Sequence, residues 1–179
     1  MRFTYRAATA DNVVAAAGAA MFFVISGSAN KTRIVRKIRV SGDTLTTLAV
    51  GSIVAEKWST TAASGGTAVT LTRVPLDSAF PAAETDGLVQ VYTAAPTEPT
   101  LVGTIACHRH IWKSSTVVDG APFSDVEFDF GDEADKTDVS PRGVYLHGVT
   151  ESLSLAFGAA PATAITLAVE GEWDEEAGP

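Results

Sequence analysis

Only one cysteine, Cys107, occurs in the 179 residues, so no disulfide can form within the chain and the fold cannot depend on oxidation. Charged residues are scarce, at 19%, and aromatic residues make up 8%. The hydrophobic content of 46% still supplies enough apolar material for a core and argues against a disordered chain. No apolar run is long enough to cross a bilayer as a helix, which takes about 20 residues. The longest stretch, Val13 to Ile25, has Arg2 and Arg6 ahead of it and Ser26-Gly27-Ser28-Ala29 behind it, in the outline of a signal peptide. Asp11 and Asn12 beside the run favour its being part of the folded chain, and no membrane partner is expected. No stretch of ten or more residues holds a helical hydrophobic period, and no repeat of 20 to 50 residues occurs, which disfavours bundles, solenoids and propellers.

What the sequence does contain is strand signal. Turn residues punctuate apolar or alternating runs at Arg2–Arg6, Ala20–Ser26, Thr32–Ser41, Thr46–Trp58, Ala68–Val74 and Leu88–Ala94. The second half adds Leu101–Trp112, Val126–Phe130, Gly143–His147, Ser152–Phe157 and Ala164–Trp173. Ten to eleven strands in one chain of this length predict a single antiparallel β-sandwich over 1–179, with residues 1–18 as a candidate extended arm. Ser41-Gly42-Asp43 and Ser64-Gly65-Gly66 tolerate positive φ and read as hairpin turns. Seven of the prolines fall between strand candidates, Pro75 being the exception, so a missing backbone donor does little harm there. Ala79–Gly87 and Asp132–Arg142 are the longest irregular stretches and the expected places for a short helix or a protruding functional loop.

Between Lys31 and Val40 a period of two sorts Ile34, Ile38 and Val40 from Arg33, Lys37 and Arg39, giving one apolar and one basic face. Charge is also split along the chain. Residues 1–73 hold nine Lys and Arg against three Asp and Glu, and residues 74–179 hold four against eighteen. Two consequences stay open: copies could meet head to tail through opposite charges, or the halves could interleave in the fold and mix their charges on its surface. The overall acidity and the lack of interleaved aromatics argue against nucleic acid as a partner.

Catalytic and metal-binding patterns fare poorly. His108 and His110 point the same way on a strand and could share an ion with His147, but they come with no identified carboxylate or thiolate partner and read as a surface pair. Cys107 faces away from both histidines and reads as a buried structural thiol. Asp125, Glu127 and Asp129 alternate with Val126, Phe128 and Phe130 as the solvated side of a strand. Asp132, Glu133, Asp135 and Asp138 lack the spacing of a calcium loop. Phosphate-loop, nucleophile-elbow and zinc-protease signatures are absent, so no enzyme activity, catalytic residue, metal or cofactor is expected.

Three stretches carry a resemblance: Phe22-Phe23-Val24-Ile25-Ser26-Gly27-Ser28-Ala29-Asn30-Lys31 running into the strand Arg33–Val40, the turn Ala62-Ala63-Ser64-Gly65-Gly66-Thr67, and the end of the chain. At that end stand Gly148-Val149-Thr150-Glu151-Ser152-Leu153-Ser154-Leu155 and Val169-Glu170-Gly171-Glu172-Trp173-Asp174-Glu175-Glu176. Together they resemble the small structural proteins of tailed bacteriophages. The resemblance implies a jelly-roll-like sandwich that decorates or cements the capsid, or serves as a head-fibre or tail accessory. It also implies a homotrimer with the major capsid protein as partner, residing in the virion after assembly in the host cytoplasm. Within that expectation Arg33, Lys37 and Arg39 are the candidate docking residues. The competing reading is a carbohydrate-binding adhesin, which would need Trp58, Trp112, Trp173 or tyrosines grouped on one exposed face.

Overall fold

A computed structural model describes residues 1–10, 13–15, 21–44, 49–59, 63–112, 125–131, 143–159, 161 and 164–177, with side chains described except at 13–15, 44, 49–50, 110–112 and 177. Thirteen strands and no helix occur among these residues. They are β1 (Arg2–Ala8), β2 (Val13–Ala15), β3 (Met21–Ser26), β4 (Lys31–Thr44), β5 (Ala49–Trp58), β6 (Thr67–Thr70) and β7 (Arg73–Pro75). After them come β8 (Val89–Ala94), β9 (Leu101–Trp112), β10 (Val126–Asp129), β11 (Val144–Leu146), β12 (Ser152–Phe157) and β13 (Ile165–Ala177). All pairings are antiparallel, in two sheets that form a β-sandwich. One runs β10-β4-β13-β1-β7, with β11 also on β4 and β2 also on β13; the other runs β6-β8-β3-β12-β5-β9.

Several sequence expectations shift in the details. Arg2–Ala8, inside the candidate arm 1–18, is an inner strand paired with β13 on one side and β7 on the other. Ser41-Gly42-Asp43 is not a hairpin turn: it continues β4, because Leu167, Thr166 and Ala168 of β13 supply a ladder that holds the backbone extended. Ser64-Gly65-Gly66 does turn, with φ of 71° and 65° at the two glycines, but β6 beyond it pairs with β8 and not with β5. The expected strand Ala68–Val74 is two: the chain leaves one sheet after Thr70 and enters the other at Arg73. Sheet switching of this kind folds the edge over and shortens the strand that each sheet exposes. Asp132–Arg142 falls outside the described residues.

Between the sheets lies one core of Phe22, Phe23, Ile25, Val35, Ile38, Val40, Phe128, Leu153, Leu155, Leu167, Trp173 and their neighbours. Phe22 meets Phe157 with ring centroids 4.6 Å apart, and Tyr5 stacks on Trp173 at 6.2 Å. A smaller cluster of Met21, Val24, Trp58, Ala63, Tyr92 and Ala156 also buries its members. It explains why β3 and β12 are buried at every position: β3 reads as a continuous hydrophobic run, while in β12 Ser152 and Ser154 alternate with Leu153 and Leu155 and Ser154 Oγ accepts from Trp58 Nε1 at 2.7 Å. Leu155→Ala, at a fully buried position between β3 and β5, is expected to destabilise the fold by about 2–5 kcal/mol in a urea titration; a midpoint unchanged from wild type would refute this core assignment.

Candidate functional site

β4 does not present Arg33, Lys37 and Arg39 on one face. Opposite β13, Glu172 pairs with Lys37 and the next residue, Trp173, pairs with Val35, so Arg36 is an extra residue in β4. Such a bulge reverses the alternation. C-terminal to it, Ile38 and Val40 face the core while Lys37 and Arg39 face outward; N-terminal to it, Val35 and Arg33 turn inward. Ile34, which the uninterrupted period placed with Ile38, is buried but lies outside the main core.

Arg33 is 0% exposed and cannot dock a partner from the surface. Its Nε donates to Glu175 Oε1 at 3.0 Å, Nη1 donates to the Ser26 carbonyl at 2.9 Å, and Nη2 donates to the carbonyls of Glu84 and Asp86 at 2.8 and 3.1 Å. Glu175 accepts two further hydrogen bonds, from Trp173 Nε1 and from the Glu84 amide. Arg73 reaches the same segment through the Glu84 and Gly87 carbonyls. The link between β7 and β8, expected as a helix or a protruding loop at Ala79–Gly87, is therefore strapped across the end of the sandwich. Gly87, at φ +73°, sits so close to the Gly27 carbonyl and the Ser26 hydroxyl that no side chain fits.

Asp86 ties that segment to the β3–β4 turn by accepting from the Ala29 amide at 2.5 Å. Burial pushes its carboxyl up, but bonds from Ser28 and Ala29 and the Arg33 and Arg73 cations outweigh burial and hold it below the ordinary value. Burial, aided by Glu175 and Glu84, raises the nearby Tyr5 hydroxyl, which donates to the Pro81 carbonyl.

Outside the sandwich, the same sheet carries alternating columns of charge. Arg2 and Arg6 on β1 meet Glu176, Glu172, Glu170 and Asp174 on β13; Arg36 on β4 grips Asp174 at 2.6 Å; Lys37 and Arg39 both reach Glu127 on β10, at 3.2 and 2.6 Å. Asp125 lies 3.5 Å from Arg39. The bond from Arg39, then that from Lys37, holds the Glu127 carboxyl below its usual range. The basic first half and the acidic second half thus interleave strand by strand. A polar depression of about 250 Å³, bounded by Thr4, Arg36, Lys37, Asp129, Gly131, Glu172 and Asp174, lies on this face; Arg36 is paired with Asp174, Lys37 with Glu127 and Glu172 with Arg6, while Asp129 accepts from the Gly131 amide.

The remaining candidates are dispersed. His108 packs edge-on against Phe128, with centroids 4.7 Å apart, while His147 stacks on Tyr145 and contacts Thr32; the side chain of His110 lies outside the described set. No group of three or more His, Cys, Asp or Glu side chains is arranged to hold a metal among the described residues. Cys107 is exposed, contrary to the buried thiol expected, because β9 is an edge strand and the residue points away from the core. Trp58 and Trp173 are buried, as are Tyr5 and Tyr92. Sequence reasoning missed Arg36, Arg73 and Glu175. The doubled pairs Ile34-Val35 and Arg36-Lys37, which break a period of two, were the signal for the bulge.

The sequence matches no model of a known protein family, and no curated protein is significantly similar to it.

Arg33→Met leaves Glu175 a buried charge without its cation and is expected to cost about 3–5 kcal/mol by chemical denaturation, while Arg39→Met, at an exposed pair, leaves the midpoint nearly unchanged. Equal effects would contradict the inward and outward assignment. Asp86, with its folded pKa depressed, adds stability that is present above the unfolded carboxylate value near 3.9 and is lost as pH falls through the folded value. Asp86→Asn should therefore be less stable than wild type at pH 7, with the gap closing in acid. A gap that is constant with pH would exclude this role.

Proposed function

We propose that this chain is a non-enzymatic structural protein of a tailed-bacteriophage particle, decorating or cementing the capsid through repeated contacts with the major capsid protein and with copies of itself, as a homotrimer. The observation that carries this reading is the antiparallel sandwich whose buried and ladder charges are spent on holding the sheets and their connections together. The resemblance in Phe22–Val40, Ala62–Thr67 and the closing strands supplies the particle context. Burial of Trp58, Trp173, Tyr5 and Tyr92 takes these residues out of any carbohydrate-binding platform, while the side chain of Trp112 lies outside the described residues.

Of the three docking candidates, Lys37 and Arg39 remain accessible, at 36% and 46% side-chain exposure, and each shares Glu127. Attachment through them has to compete with that carboxylate. Co-sedimentation with undecorated particles across a salt series tests the proposal: wild type should bind at fixed copy number relative to the shell protein. Lys37→Glu/Arg39→Glu should bind more weakly, with added salt weakening the wild type, because exposed charges are screened over about 10 Å at 0.1 M. No binding by wild type at any ionic strength would remove the particle role. Equal, salt-insensitive binding by both proteins would remove Lys37 and Arg39 from the contact.

A further inference from the structure

Residues 73–86, which comprise β7 and most of its link to β8, lie against the sandwich with almost none of their side chains inside it. Among them only Ala83 is buried, and the half-buried Phe80 meets Phe3 with ring centroids 5.0 Å apart. A segment that buries so little apolar surface gains little from the hydrophobic effect. Its hold is polar instead. β7 pairs with β1 only through Arg73, Val74 and Pro75, the Leu76 amide donates to the Thr4 carbonyl at 3.0 Å, and the Tyr5 hydroxyl donates to the Pro81 carbonyl at 3.1 Å. Beyond these, Arg33 and Arg73 hold backbone carbonyls of residues 84–87, Glu175 accepts from the Glu84 amide, and Asp86 accepts from the Ala29 amide.

That end of the segment is balanced by charge. Two cations, Arg33 on β4 and Arg73 on β7, share it with two carboxylates, Asp86 in the segment and Glu175 on β13. Burial and the like charge of Arg33 act against the Arg73 guanidinium, and Glu175 and Asp86 offset them. The other groups that face the cluster are Glu84 of the segment itself, the Tyr5 phenol of β1, and the hydroxyls of Ser26 on β3 and Ser28 in the β3–β4 turn. Neutralising Asp86 leaves two guanidinium groups facing one anion, in a setting where a low dielectric strengthens their repulsion. Opening returns water to all four charged groups and so recovers hydration that burial removed.

The sandwich itself does not rely on this segment. β1 is paired with β13 along its whole length, and Arg33 keeps Glu175 and the Ser26 carbonyl when its bonds to the segment are lost. Units held this way open locally at a lower cost than the core.

We propose that residues 73–86 are an acid-released latch: when Asp86 takes up a proton they leave the sandwich as one unit, freeing the outer edge of β1, while the two sheets stay folded. The sign follows from linkage. The closed form holds the Asp86 carboxyl below its ordinary value, so the open form binds the proton more readily. Closure is favoured above the unfolded carboxylate value near 3.9 and is lost as pH falls through the closed-state value.

Amide hydrogen exchange on the full chain, followed by NMR and scaled to the unstructured rate at each pH, tests the latch. In wild type the Leu76 and Glu84 amides should be protected at pH 7 and lose protection together in acid, while the ladders of β3 and β12 keep theirs. Asp86→Asn retains an acceptor for the Ala29 amide and loses only the charge. At pH 7 it should exchange Leu76 and Glu84 about tenfold faster or more, the scale of one charge-assisted hydrogen bond, and its excess over wild type should vanish in acid. Asp77→Asn, whose side chain accepts from the Ala79 amide within the segment, should exchange like wild type. If Asp86→Asn does not fold, the wild-type acid series decides alone. Protection at Leu76 and Glu84 that persists in acid or disappears only along with β3 and β12, release of one of the two amides without the other, or an Asp86→Asn excess that is the same at every pH would each overturn the proposal.

Discussion

A single buried arginine fixes how the two sheets meet. Arg33 leaves β4, reaches Glu175 on β13 within its own sheet, and at the same time holds the Ser26 carbonyl at the end of β3 in the other. Its remaining donors pin the β7–β8 link, and Trp173 lies beneath it, 6.0 Å from the guanidinium carbon to the ring centroid. Only a planar, many-donor cation can serve two sheets and a connection from one point. The desolvation that such a group suffers is offset by its own hydrogen bonds and by those that its Glu175 partner accepts from Trp173 Nε1 and the Glu84 amide.

That geometry depends on the bulge. Without Arg36 as an extra residue, Arg33 would share the outer face with Lys37 and Arg39, and the end of the sandwich would lose its strap. With the bulge, Arg36 is free to close on Asp174 outside while Arg33 closes on Glu175 inside, so two adjacent acidic residues of β13 serve the two sides of one sheet. The charge asymmetry along the sequence has the same origin. Strands β1 and β4 come from the basic half and β13 and β10 from the acidic half, and antiparallel pairing sets them side by side. Cations and carboxylates therefore alternate from strand to strand on this sheet, and the sign split along the chain does not become one basic and one acidic end of it.

Much of the architecture was legible in the sequence because period-two patterns and turn residues act locally. Leu101–Trp112 and Ser152–Phe157 have the same bounds in both readings. What escaped was everything decided across strands. Gly42 looks like a turn until β13 extends alongside it; Thr70 and Arg73 look like one strand until the chain changes sheets. Cys107 was expected inside, and the sheet order makes its strand an edge. Arg33 was assigned to the basic face by a strict alternation that one inserted residue reverses.

The role given to Arg33 is measured most directly by a double-mutant cycle in chemical denaturation, with Arg33→Met, Glu175→Gln and the double variant. If the pair anchors the sandwich, each single change should be costly and the double variant should lose much less than the sum, giving a coupling energy of about 2 kcal/mol or more. Losses that add to within about 0.5 kcal/mol would show that the two side chains act independently, and the fold would then have to be held by its apolar core alone.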